Sequence, residues 1–195
     1  IRTKELMTSR IKILPENIAN KIAAGEVVQR PESVVKELLE NAVDANSTSI
    51  ELIVKQAGKS LIQVCDDGSG MTEEEVLLSI RKHATSKISS MEDLESIKTL
   101  GFRGEALSSI ASVCQLEIKT ETKESEVGTL LKIKSETEII TEKISAPKGT
   151  CVTVKNIFYN IPARRKFLKS DTTELKHIID TFNRIALAHP EISFK

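Results

Sequence analysis

Apolar residues recur at helical spacing in some stretches of the chain and at every second position in others, and the two periods predict most of its elements. From Pro15 to Gly25, the positions Ile18, Ile22 and Ala23 predict a short helix with Gly25 as its left-handed stop. Pro31 opens a second helix. On a wheel of about 100° per residue, its Val34, Val35, Leu38, Leu39, Ala42 and Val43 fan over about half the circumference, which makes a core face. Ser49 to Val54 and Ser60 to Cys65 read as strands joined in a hairpin across Gln56-Ala57-Gly58-Lys59. Thr72 with Glu75 forms a capping box for a helix through about Lys82, and Ser90 with Asp93 predicts another. Gly104 to Val113 is a further helix, apolar at Ala106, Leu107, Ile110 and Ala111.

From Leu116 to Phe158 the period changes to two, with turn signals near Gly128 and at Pro147-Lys148-Gly149, which predicts a meander of about four strands. The Lys, Glu, Ser and Thr of residues 119–143 are then its wet face. Asp171 with Glu174 caps a last helix built on Leu175, Ile178, Ile179, Phe182 and Ile185. Ile192 to Lys195 begins a new strand-like run.

Composition narrows the function classes. At 195 residues the chain can bury a sizeable core in one domain. Basic and acidic residues both total 28, so any basic surface is local, and the absence of Trp argues against a base-stacking platform. Cys65, Cys114 and Cys151 have no metal-ligand spacing and read as reduced thiols of an intracellular protein. His83, His177 and His189 lack zinc spacing. No apolar run approaches a membrane span, and the first ten residues hold no signal-peptide core. With Met7 as a candidate initiator, residues 1–6 would be an upstream remnant, and residues 1–7 are expected to be an extension outside the domain, unordered or foreign to it.

The chemistry starts on the second helix. Measured from Val34, Glu37, Asn41 and Asp44 fall at about 300°, 340° and 280°, along one edge of the apolar face. A carboxylate beside a carboxamide is general-base and hard-metal chemistry, whereas Glu40, at about 240°, belongs to a solvated edge. Asp66-Asp67-Gly68-Ser69-Gly70 ends a strand. A carboxylate there can accept a hydrogen bond from an exocyclic amine while the glycines let a ring approach the backbone, although alone the string is more often a turn. Gly101-Phe102-Arg103-Gly104-Glu105-Ala106-Leu107 opens a helix with two glycines and a cation, an anion site. Ala57-Gly58-Lys59-Ser60 imitates the end of a P-loop, but Ile53 stands where that motif needs glycine.

Taken together, these elements resemble the motifs of the GHKL ATPases, which include gyrase-type topoisomerases, heat-shock chaperones of that group, histidine kinases and MutL. The strings I-A-A-G-E-V-V at 22–28, R-P-x-S-V-V-K-E-L at 30–38, H-A-T-S-K at 83–87, G-F-R-G-E-A-L at 101–107 and F-Y-N-x-P-A-R-R-K-F-L at 158–168 are similar to those of the MutL mismatch-repair family. The resemblance covers about residues 8–195. It implies an α+β fold, the two-layer α/β sandwich of the Bergerat type, with helices on one face of a mixed, largely antiparallel sheet and ATP between the layers under a mobile lid. The domain would span residues 8–190, with 191–195 the start of a following segment.

Carried over by residue, the resemblance makes Glu37 the general base for the attacking water and Asn41 the ligand of a Mg²⁺ that bridges the phosphates. Asp44 would support the nucleotide. Asp66 would accept the adenine amine, with Gly68, Gly70 and Thr150 completing the base pocket. Thr85, Ser86 and Lys87 would belong to the lid, and Gly101, Phe102, Arg103, Gly104, Glu105, Ala106 and Leu107 would contact phosphates. Asp67 departs from a frequent Asn and is tolerable if it points away from the base. His83 is expected to be a structural hydrogen-bonder. The implied function is ATP binding and slow hydrolysis by a cytoplasmic, nucleoid-associated repair protein. Its partners would be a second copy of itself, a MutS-like mismatch-recognition protein and DNA. Arg164, Arg165, Lys166 and Lys169 form a local basic tract able to make sequence-independent phosphate contacts. A DNA clamp in which nucleotide is incidental is the rival reading, and another GHKL-type ATPase, a histidine kinase or chaperone, the third.

Overall fold

The computed structural model describes residues 13–85, 87, 99–101, 104–135 and 138–195, except for the side chains of Glu16, Asn17 and Asn20. Ser86, Phe102, Arg103 and the helix expected from Ser90 and Asp93 lie outside these residues. The helices are α1 (Glu16–Val27), α2 (Pro31–Asp44), α3 (Glu73–Ser79), α4 (Ala106–Val113), α5 (Pro162–Lys166) and α6 (Asp171–Ala188). The strands are β1 (Ser49–Lys55), β2 (Leu61–Asp66), β3 (Gln115–Glu121), β4 (Gly128–Ser135), β5 (Glu138–Ile144), β6 (Gly149–Lys155) and β7 (Ser193–Phe194).

The strands form one sheet in the order β5-β4-β3-β6-β2-β1-β7, antiparallel throughout except for the parallel β1–β7 pair. β1 and β2 make the expected hairpin, closed by a 3₁₀ turn at Gln56–Gly58. The expected meander is only partly one: β3, β4 and β5 follow one another, but β6 crosses back to lie between β3 and β2. That crossing gives Ile118 and Val152, and Ile62 and Val154, as register partners. It completes the buried face of the sheet, a choice that period-two alternation within single strands does not encode.

Alternate strand residues Ile62, Val64, Leu116, Ile118, Val152 and Val154 form a single core cluster with Val34, Val35, Leu38, Leu39 and Ala42 of α2, Ile110 and Val113 of α4, and Ile178 of α6. The helices therefore cover one face of the sheet. Each fully buried aliphatic side chain contributes about 1.5–3 kcal/mol, so the apolar stripe of α2 is what anchors its polar edge in place.

Three helix ends differ from expectation. α1 runs through Gly25 to Val27, because Gly25 serves packing: a side chain there would collide with the guanidinium of Arg164. α3 keeps both hydrogen bonds of the Thr72–Glu75 capping box but stops at Ser79, short of Lys82, and the Ser79 hydroxyl donates back to the Val76 carbonyl. α6 is capped by Ser170, which accepts from the Thr173 N–H at 3.3 Å, and not by Asp171. Glu174 instead accepts the Lys169 N–H at 2.8 Å and is buried.

Candidate functional site

The apolar stripe of α2 faces the sheet, so the helix presents its polar edge sideways. Glu37, Asn41 and Asp44 are all half-buried there. Lys87 reaches across to this edge, donating to Asn41 Oδ1 at 3.1 Å and to Asp44 Oδ2 at 2.5 Å. Asp44 also accepts the N–H groups of Leu100 at 3.1 Å and Gly101 at 3.3 Å, and its side chain is only 8% exposed. Thus Lys87, Leu100 and Gly101 converge on α2 through one carboxylate. Glu40 is not solvated as expected; its side chain is 14% exposed and pairs with Lys36 at 2.8 Å.

Burial is the chief influence on Glu37 and raises its carboxyl above the usual range, against the pull of Lys36 at 3.7 Å. A carboxylate made more basic in this way is a better proton acceptor.

Asp66 stands at the far end of β2, in register with Thr150 of β6 and Ile50 of β1. Its Oδ1 accepts from Gly68 N–H at 2.9 Å and from the Ser47 hydroxyl at 3.2 Å. Burial pushes its carboxyl up to about 6, while the bonds from Gly68, Ser47 and Thr150 work in the other direction. Ser47 joins the two halves of the site. The hydroxyl that touches Asp66 lies 2.6 Å from the carbonyl of Ala42, next to Asn41 on α2. Sequence reading missed Ser47, which sits in an ordinary turn string, Ala45-Asn46-Ser47-Thr48. It also missed Thr120, fully buried, whose Oγ1 receives the Met71 N–H at 2.8 Å and lies 3.0 Å from the Thr150 hydroxyl.

Asp67 points away from Asp66 and toward β1. It accepts from Thr48 N–H at 2.7 Å, Thr48 Oγ1 at 2.5 Å and Ser49 N–H at 2.9 Å. Burial opposes its ionisation, but these bonds outweigh that and hold it below the usual carboxylate range.

The glycines at the end of β2 give room to the protein's own atoms. A Cβ on Gly68 would strike Ala45 and Ser47, and one on Gly70 would strike the Glu121 carbonyl. Both therefore let the protein's own backbones approach, Gly70 with a left-handed φ of 69°. Gly104, φ 62°, does the same against the carbonyl of Ala84 and so seats that residue on the entry to α4. His83 Nδ1 lies 3.2 Å from Glu105 Oε1, a structural contact at the same junction.

The basic tract divides. Arg164 is turned inward, its guanidinium over the Phe158 ring at 5.4 Å and donating to the Val28 carbonyl at 3.3 Å. Arg165, Lys166 and Lys169 are exposed. A separate open groove of about 450 Å³, between Ala57 and Asp171, Leu175 and Ile179 of α6, is lined by none of the candidate site residues.

The cysteines require a correction. Cys65 and Cys151 are register partners on β2 and β6 and are joined in a disulfide; only Cys114 is a free thiol, buried, with its ionisation opposed by burial. Their places on facing strands, hidden in the sequence by a separation of 86 residues, make the pairing possible.

Residues 29–156 match the family of histidine kinase-, DNA gyrase B- and HSP90-like ATPases. The chain belongs to that family. Within it, 96% of the chain aligns with MutL mismatch-repair proteins, at 56% identity for Christiangramia forsetii, 58% for Flavobacterium johnsoniae and 53% for Bacteroides fragilis. It spans about 30% of the length of these relatives. The ADP-complexed ATPase domain of Aquifex aeolicus MutL superposes with a TM-score of 0.66 at 34% identity, over 86% of this chain and 59% of that one. An N-terminal domain of a DNA repair protein gives 0.75 at 30% identity, over 90% of this chain and 50% of that one. The chain is thus a MutL-type ATPase domain, with the helix-on-sheet architecture expected of it.

Proposed function

We propose that this domain binds ATP along the polar edge of α2, with adenine at Asp66 and the phosphates toward Gly101–Leu107, and hydrolyses it slowly. The observation that carries this reading is the convergence at α2. Asp44 gathers Lys87, Leu100 and Gly101 at one end of the site, and Ser47 ties the same helix to Asp66 at the other. Phosphoryl transfer needs positioned charge more than covalent chemistry, and this arrangement supplies it.

In this reading Glu37 orients a water and takes its proton as the oxygen attacks the γ-phosphorus, the bond to the β–γ bridging oxygen breaking and ADP leaving with that oxygen. The ionised Asp66 accepts the adenine amine and so sets the register of the nucleotide. Lys87 and the N–H groups at the start of α4 face the phosphate charge. The donor set suits Mg²⁺. Asn41 Oδ1, which accepts from the Lys87 ammonium at 3.1 Å, is a hard amide oxygen of the kind that suits Mg²⁺, an ion held by one or two protein oxygens plus phosphates and water. When bound it would neutralise phosphate charge.

By kinship with MutL, ATP would order the lid and close two copies into a dimer that signals to a MutS-like partner and to DNA, in the cytoplasm. No helix among the described residues is long and apolar enough to cross a membrane. Exposed Arg165, Lys166 and Lys169 would give DNA affinity that falls steeply with salt.

Titration of ATP with and without Mg²⁺ tests the assignment. Asn41→Ala should abolish the Mg²⁺ dependence of affinity. Glu37→Ala in the full-length protein should leave binding near normal and slow turnover by roughly 10²–10⁴. Affinity unchanged by Asn41→Ala would overturn the metal role. DNA binding that is equal with and without nucleotide, and that survives Asn41→Ala, would favour the clamp.

A further inference from the structure

Cys65 and Cys151 sit directly behind the adenine end of the site. Each is the chain neighbour of a residue that defines it, Asp66 and Thr150, and those two are themselves register partners. Because side chains alternate along a strand, the sulfur pair lies on the sheet face opposite to that of Val64 and Val152, away from the helices, and both cysteines are partly exposed there. The row across the sheet at this level reads Glu51, Cys65, Cys151, Lys119. Directly opposed residues of antiparallel strands place their Cβ atoms about 4.5–5.5 Å apart, so Lys119, whose ammonium pairs with Glu117 at 3.6 Å, stands next to Cys151, and Glu51 next to Cys65. A neighbouring cation favours thiolate, and a neighbouring carboxylate disfavours it.

We propose that Cys65 and Cys151 form a reversible thiol–disulfide couple that tunes the adenine end of the nucleotide site. The inference rests on the nucleotide assignment given above. The oxidant is a low-molecular-weight disulfide, RSSR. The Cys151 thiolate attacks one of its sulfurs, forming a mixed disulfide and expelling RS⁻. Cys65, losing its proton to solvent, then attacks the Cys151 sulfur, forming the cross-strand bond and expelling the second RS⁻. Two cysteine thiols are oxidised, RSSR is reduced to two RSH, and the protons are conserved between cysteines and products. The cross-link fixes β2 to β6 beside Asp66 and Thr150, so the oxidised form holds the base pocket preorganised and binds adenine nucleotide more tightly than the reduced form.

The full-length protein equilibrated in glutathione buffers of varying ratio decides the matter. Peptide mass mapping should show the Cys65 and Cys151 peptides joined, with loss of two hydrogens, at high glutathione disulfide, and separated again by excess glutathione. Lys119→Ala should slow joining. ADP should bind roughly threefold to tenfold more tightly to the oxidised protein, by preorganisation, and Cys65→Ser and Cys151→Ser should each lose that redox response. Failure of the peptides to join, or failure of the bond to reopen, overturns the couple. Joining with no change in ADP affinity overturns the tuning. If neither redox form binds adenine nucleotide, the nucleotide assignment and the tuning fall together, while the mass measurement still settles the couple by itself.

Discussion

Asp66 shows how one side chain can be positioned for function at a cost to the empty fold. Burial lifts its carboxyl from 3.8 to about 6, so folding favours the protonated form. Its contribution to stability is therefore fully present below pH 3.8 and is lost as pH rises through about 6. In the proposed reading binding has the opposite sign, because an ionised carboxylate accepts the adenine amine more strongly than a protonated carboxyl does. ADP affinity is expected to fall on the order of tenfold per pH unit once the medium drops below the carboxyl's own value, and Asp66→Asn should flatten that step. Calorimetric titration between pH 7 and 5 checks this, and an Asp66→Asn protein with the same pH step would sink it. Asp67, next in the chain, is a control: its oxygens are taken by Thr48 and Ser49, so Asp67→Ala should cost about 1 kcal/mol of stability and leave the pH step in place. The string Asp-Asp-Gly-Ser-Gly marked a site in the sequence, but which aspartate faces inward was decided by Ser47 and the turn around it.

Among the elements, α1 and α5 depend on each other. Arg164 joins them by lying over Phe158, against Gly25 and on the Val28 carbonyl, which is why a residue read as DNA-facing is half-buried. Arg164→Ala should lose about 1–2 kcal/mol, a drop of a few degrees in melting temperature, whereas Arg165→Ala should leave the melt unchanged. Equal melts for the two variants would refute the division of the basic tract. Gly104 is the corresponding joint between Ala84 and α4. With a left-handed φ and the Ala84 carbonyl where a side chain would stand, Gly104→Ala should cost about 1–3 kcal/mol locally and expose residues 83–85 to limited proteolysis. The periodicity located these elements within a few residues of where they lie; it misplaced their ends where a side chain from elsewhere supplied the reason, as Arg164 did at Gly25 and Ser170 did for α6.

At the scale of the whole molecule, the proposed site draws on distant stretches: the polar edge of α2, the end of β2, Thr150 of β6, and Lys87, Leu100 and Gly101. Such a site can hold a nucleotide without being complete for turnover. The chain spans about 30% of its MutL relatives, and in the proposed reading a further donor to the γ-phosphate would come from the rest of such a protein. Residues 1–195 alone should therefore bind ADP yet hydrolyse ATP on the order of 10²-fold more slowly than the full-length protein, the usual cost of one missing charge-stabilising donor. Full turnover by the isolated chain would refute this. The sequence by itself determined the helix that carries Glu37, Asn41 and Asp44 on one edge, the hairpin, the strands and the family, because these depend on local periodicity and on residue types at fixed spacing. Only the tertiary structure decided that β6 lies between β3 and β2, that Ser47 joins α2 to Asp66, that Arg164 turns inward and that Cys65 meets Cys151. Those outcomes depend on which distant surfaces bury each other, and no local pattern records that.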